Sequence, residues 1–154
     1  MTTDVIDTPL AAPRARLPLW YWTAAGLGVA WNAFGLVRFV GSATASEADM
    51  LAHGLTAEQA ALYAGLPAWM DAAFAIGVFG GLIGCILLLA RSRFAFSVVA
   101  ASLAGYAALY AGDLALGVFT AFGAGQAVIL TVVVAIAAAL LWLAHHAIDK
   151  SYCR

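Results

Sequence analysis

Three charged residues interrupt sequence that otherwise suits lipid. Arg38 lies near the end of a first apolar run, Asp71 near the start of a second and Asp113 near the end of a third, so an antiparallel arrangement puts them at similar depth. An ionised side chain at the middle of a membrane helix costs about 2.5–3.5 kcal/mol, and less near the interface, so such groups face the bundle and pair. Arg38 bridging Asp71 and Asp113 would leave local negative charge, which a proton or a bound cation would relieve. Ser102, Tyr106 and Tyr110 recur along the third run at helical spacing, on roughly one face with Asp113, and Asn32 lies deeper on the first run. Together the seven residues form a candidate polar cleft open to the outside, suited to a small substrate or ion. The alternative is a structural clasp, in which interhelical hydrogen bonds only fix the packing.

Other chemistry-bearing residues carry weaker signals. His145 and Asp149 are spaced i and i+4, with His146 adjacent and Cys153 one turn further, which are metal-capable types without a metal-specific spacing. No HExxH, GxSxG, Walker or CxxC pattern occurs, so neither an enzyme class nor a cofactor or resident metal is implied. Cys85 and Cys153 are expected as free thiols, Cys153 beside Arg154 being a site where acylation is conceivable.

The elements that must position these residues follow from composition. Of 154 residues 65% are hydrophobic and 10% charged, against roughly a quarter charged in soluble domains. One all-α integral membrane domain accounts for the chain. A net charge of -1 with scattered cations excludes a nucleic-acid surface.

The stretch Pro67 to Arg93 organises the rest. Ala72 to Ala90 carries no charge and is long enough for a hydrocarbon core of ~30 Å at ~1.5 Å per residue. Gly77 with Gly81, and Gly80 with Gly84, form two small-xxx-small pairs that let neighbouring helices approach closely, so this helix is expected at the centre of the bundle. Four crossings are predicted, over 17–40, 67–90, 94–116 and 126–147, with a flexible cytoplasmic tail expected over 1–16 and a cytoplasmic tail over 148–154. Trp20, Tyr21 and Trp22 mark a membrane boundary, and Ala25, Gly28, Asn32 and Gly35 give the first helix a small packing face. Arg14 and Arg16 ahead of an apolar run, with Ala43-Thr44-Ala45 after it, resemble a signal peptide. The run is longer than a signal core of roughly 7–15 residues, so a retained helix is preferred.

Between the first two crossings, Ser46 with Asp49 and Thr56 with Gln59 read as two helix starts, with Gly54 and Gly65 as stops. This acidic loop, which also holds Glu47, Glu58 and His53, is either a cap on the bundle or a lid over a ligand. A glycine-rich turn is expected over Gly117 to Gly125. Arg14, Arg16, Arg91, Arg93, Lys150 and Arg154 fall on one side of the crossings and only Arg38 elsewhere, which predicts cytoplasmic termini and an extracytoplasmic loop.

Trp31-Asn32 followed by Gly35, then Met50, the segment P-x-W with A-x-F-A-I-x-V-F-G-G-x-x-G-C-x-L-L-L from Pro67 to Leu89, and the basic turn after it carry a resemblance. They resemble a family of small, uncharacterised bacterial four-helix integral membrane proteins, some of which bear the automatic label of sugar transporter. The resemblance runs from the first helix into the third, and the fourth matches only as apolar sequence. It implies a four-helix fold and carries over no substrate or site residue.

The expected function is a transporter-like or accessory subunit of the inner membrane with an outward-facing polar cleft. So short a chain would need a homodimer or a membrane partner subunit, besides the lipid bilayer, to enclose a pathway. The alternatives are a small membrane enzyme acting on a lipid or quinone-like substrate, and a purely structural partner of another membrane protein.

Overall fold

The structure, a computed structural model, describes residues 17–152. The expected tail over 1–16, with Arg14 and Arg16, and the terminal Cys153 and Arg154 lie outside the described residues. Seven helices follow one another: α1 (Leu19–Thr44), α2 (Glu47–Ala52), α3 (Ala57–Ala64), α4 (Ala68–Leu89), α5 (Ala95–Ala115), α6 (Val118–Phe122) and α7 (Ala124–Asp149). Four of them, α1, α4, α5 and α7, are long and apolar enough to cross a membrane.

The short helices show how local chemistry sets the boundaries. Asp49 N–H donates to Ser46 Oγ at 3.2 Å while Ser46 N–H donates to Asp49 Oδ2 at 3.0 Å, a complete capping box that starts α2. Thr56 and Gln59 repeat the exchange at 3.2 and 3.0 Å to start α3. Gly54, at φ +90°, turns the chain between them in a conformation that favours glycine. Both helices sit where the capping pattern predicts.

Two boundaries differ from expectation. α1 runs on past Val40 to Thr44, because Gly41 alone does not stop a helix. The hydroxyls of Ser42 and Thr44 bond back to the carbonyls of Phe39 and Val40 at 2.9 and 2.8 Å. The 26 residues of α1 measure about 39 Å, more than the ~30 Å of a hydrocarbon core. The expected turn over Gly117 to Gly125 contains the five-residue α6. Val118 to Phe122 holds no helix breaker, and Gly117 and Gly123 bend the chain on either side at φ +77° and +76°.

α4 is the hub, as its glycines suggest. It packs closely on α5 along one side and on α1 along another, α5 packs on α7, and α1 meets α7 only lightly. A β-carbon added at Gly77 would lie 2.7 Å from Tyr106 Cε1, and one at Gly80 would lie 3.0 Å from Ser102 Cβ. One at Gly81 would collide with Asn32 Oδ1 and one at Gly84 with Val99 Cγ2. α5 answers with Gly105, whose added β-carbon would fall 2.7 Å from the Ala73 carbonyl. Lipid tails are as apolar as leucine, so close backbone approach supplies what a hydrophobic drive would supply in water.

At the end where α4 turns into α5, all four long helices share one cluster: Tyr21 and Ala25, Cys85 and Leu88, Ala95 and Val99, and Leu140, Leu143, Ala144 and Ala147. Tyr21 Oη donates to the Leu88 carbonyl at 2.8 Å. Arg91 takes the left-handed conformation at φ 60°, and its Nε–H donates to the Tyr152 carbonyl at 2.8 Å, tying the α4–α5 turn to the end of α7. The opposite end carries α2, α3 and α6.

Candidate functional site

The structure separates the seven polar residues into two groups and leaves two apart. Asn32, Ser102 and Tyr106 meet at the bundle centre, where they retain 3%, 1% and 4% of their surface. Asn32 Nδ2 donates to the Gly28 carbonyl of its own helix at 2.8 Å and approaches Cys85 Sγ at 3.9 Å. Its oxygen occupies the space that any side chain at Gly81 would need. Ser102 Oγ donates to the Gly77 carbonyl at 2.5 Å, bonding α5 to α4 at their closest approach. These groups line a crevice with Trp31, Val133, Ile136, Ala137 and Leu140 in which a water-sized sphere finds no room. No buried side-chain nitrogen or oxygen among the described residues lacks a partner.

Arg38 belongs to a different site. Six residues, about 1.7 turns, along α1 from Asn32, it lines an open cavity of about 690 Å³ at the end carrying the short helices. The last turns of α1, from Val37 to Ala45, form one wall. Asp49 and Met50 of α2, with His53 at its cap and Leu55, form a second, and Tyr63, Phe122 and Gln126 close the third. Those walls are tied together: Gln59 Nε2 donates to the Ala121 carbonyl at 2.8 Å, and the rings of Tyr63 and Phe122 meet edge to face with centroids 5.4 Å apart. The volume falls within the ~300–1,000 Å³ usual for small-molecule sites.

Asp113, 4% exposed, lies close to Gln126 of the cavity wall, whose side-chain amide is near its carboxyl. Burial, and next the charge of Asp113, push the Tyr63 phenol up from its ordinary value of 10.0; Arg38 opposes the shift and Asp71 adds to it. All three predicted charges therefore reach one hydroxyl.

They do not form the expected bridge. Among the described residues the one ion pair within 4.0 Å is the exposed His145–Asp149 pair, at 3.3 Å, and Arg38 has no carboxylate at that range. Asp71 is exposed in the first turn of α4, after a proline that offers no side-chain cap, where a negative charge is favoured by the helix dipole. Asp113 has Gln126 instead. Tyr110 departs from the expected face as well: its hydroxyl is hydrogen-bonded to Thr131 Oγ1 at 3.4 Å and its ring packs on Phe119, 5.1 Å between centroids. A common helical face on α5 proved too wide to be a common site, since α4 takes Ser102 and Tyr106 while α6 and α7 take Tyr110.

Sequence reasoning passed over Tyr63 and Gln126. Gln126 had a signal, being the one side-chain amide at the head of the fourth apolar run, and Tyr63 is the aromatic one turn beyond the Gln59 cap. No group of three His, Cys, Asp or Glu side chains converges among the described residues in a way that would hold a metal. No protein family, curated protein or solved structure matches the chain.

Proposed function

We propose that the protein is a multi-pass protein of the bacterial inner membrane that binds a small ligand at its outer face, as a transporter-like or accessory subunit. The cavity of about 690 Å³ between α1, α2 and the α3–α6 pair carries this reading. Its walls mix apolar side chains with Arg38, His53 and Gln126, the composition of a site that buries a ligand and orients it with a few polar groups. The short helices act as its lid, fixed on one side by the Gln59 and Tyr63 contacts to α6.

The tight centre bears on which kind of subunit this is. With no space for water beside Asn32 and Ser102, a single copy offers the ligand no path through the bundle, which favours a binding or accessory role, or a pathway completed by a second copy or a partner subunit. The outward placement of the cavity rests on the bias of Arg and Lys toward the opposite end, and the bacterial setting on the four-helix resemblance.

Reporter fusions at Asp49 and Arg154 test the topology and should report opposite sides. Native mass spectrometry from mild detergent tests the binding, with a retained small molecule or lipid expected on the wild-type protein and reduced on Tyr63→Ala. Fusions reporting one side, or a mass spectrum identical for wild type and variant, would overturn the respective half of the proposal.

A further inference from the structure

We propose that the ligand of this cavity carries an oxyanion, a phosphate or a carboxylate, and that Arg38 holds it. The inference rests on the ligand-binding reading above and adds the chemical class.

Arg38 is exposed and lines the cavity, and among the described residues it has neither a carboxylate within 4.0 Å nor a hydrogen-bond partner. A guanidinium stays charged at any physiological pH and offers five N–H donors in a fixed plane. Placed within a helix this apolar, a charge without a partner is costly, and such residues pair or mark a ligand path.

The protein's own carboxylates are occupied elsewhere. Asp49, which shares the cavity wall, points Oδ2 at its helix cap and accepts from Ser46 N–H at 3.0 Å and Ser46 Oγ at 2.6 Å. Asp113 is buried beside the Gln126 amide, and Asp71 is exposed at the start of α4. His53 also faces the cavity, with Nδ1 at 2.7 Å from the Asp49 carbonyl, so its ring is anchored through the nitrogen that must then carry the proton. Arg38 is thus the cavity's one uncommitted full charge.

An oxyanion matches this geometry because a carboxylate or phosphate takes two parallel N–H donors from one guanidinium. Size and lining describe the rest of the molecule. A cavity of about 690 Å³ exceeds what an inorganic ion fills, and Val37, Met50, Leu55 and Phe122 offer apolar surface beside Arg38. The ligand is therefore an amphiphile with one acidic head, drawn either from the bilayer as an anionic lipid or from solution as an organic acid or phosphate ester.

The full chain in nanodiscs of phosphatidylcholine, with and without phosphatidylglycerol, separates the sources when decanoate and hexyl phosphate are titrated in parallel. Wild type, Arg38→Gln, Arg38→Lys and Phe122→Ala are compared by native mass spectrometry and by ligand-induced thermal shift. One oxyanion class should bind wild type, with phosphatidylglycerol marking a lipid source and decanoate or hexyl phosphate a soluble one. Affinity should fall at least tenfold in Arg38→Gln and several-fold in Arg38→Lys, which keeps the charge and loses the two-donor plane. Arg38→Lys decides the matter alone if Arg38→Gln does not fold. Oxyanion binding equal in wild type and both Arg38 variants overturns the proposal. So does binding of decanol alone, titrated beside decanoate as the uncharged probe, that Phe122→Ala weakens and Arg38→Gln leaves intact, a result that would keep the binding reading. If nothing binds and Phe122→Ala changes nothing, the binding reading falls as well.

Discussion

Asn32 and Arg38 stand six residues apart on α1, yet Asn32 is closed in by Gly81 and Cys85 while Arg38 opens on a cavity of about 690 Å³. At the centre each polar group is matched to a backbone carbonyl or to the vacancy a glycine leaves, and the matching removes any room for a guest. At the loop end the backbone is held by capping boxes and by α6, which frees the side chains facing the cavity. Polar residues in the same stretch of helix therefore serve packing in one place and line an open cavity in the other. Which role a residue takes depends on whether its neighbours satisfy it.

The largest effect should come from filling the centre. Gly81→Ala places a methyl against the Asn32 amide and should cost about 1–3 kcal/mol of stability in detergent unfolding, with part of the loss recovered by adding Asn32→Ala. If Gly81→Ala unfolds at the wild-type midpoint, the centre is not the rigid site described.

Next comes the lid. Thr56→Ala removes one half of the α3 capping box and should cost about 1 kcal/mol, confined to α3. Hydrogen exchange should show lost protection over residues 57–64 and none lost in α4 or α5; a loss spreading through the bundle would mean the two ends are not separable.

Ser102→Ala should be milder. Bonds of this kind between membrane helices average about 0.6 kcal/mol, so a small drop in melting temperature with ligand binding unchanged is expected. Altered binding would join the centre to the cavity and break the division between them.

The smallest effect is local and depends on pH. Hydrogen bonds from the Ser46 side chain and then the Ser46 backbone hold the Asp49 carboxyl below its ordinary 3.8, and the nearby His53 charge assists. A depressed carboxyl contributes stability above its unfolded value, and that contribution is lost as pH falls through the lower folded value. The first turn of α2 should therefore fray in acid below pH ~4 while α4 and α5 keep their protection, as amide exchange would report. A turn that stays equally protected at pH 3 would show that Asp49 does not hold it.

Some features were legible without coordinates because their causes are local. Capping boxes span three residues, so Ser46 with Asp49 and Thr56 with Gln59 announce α2 and α3 by themselves. Apolar length, broken by one charge near an end of each of α1, α4 and α5, announces the four long helices, and the glycine ladder from Gly77 to Gly84 announces a helix that must touch several others. The pairings across helices were not legible. Nothing in the sequence says that Asn32 will fill the hollow at Gly81, that Ser102 will reach Gly77, or that Tyr110 will turn to Thr131. Each depends on the rotation and offset of two helices, and a shift of one residue moves a side chain about 100° around its axis.

Arg38, Asp71 and Asp113 show the same limit. Their shared depth follows from the lengths of the runs that hold them, but whether they touch depends on azimuth, and the rotation of the helices sets Asp113 beside Gln126 and Asp71 outside the bundle. The sequence by itself determined that the chain is helical, apolar enough to cross a membrane, capped twice between α1 and α4 and charged at three points. Only the tertiary structure decided that the charges stand apart and that a cavity opens beside one of them, because helix rotation is fixed by packing between segments distant in the chain.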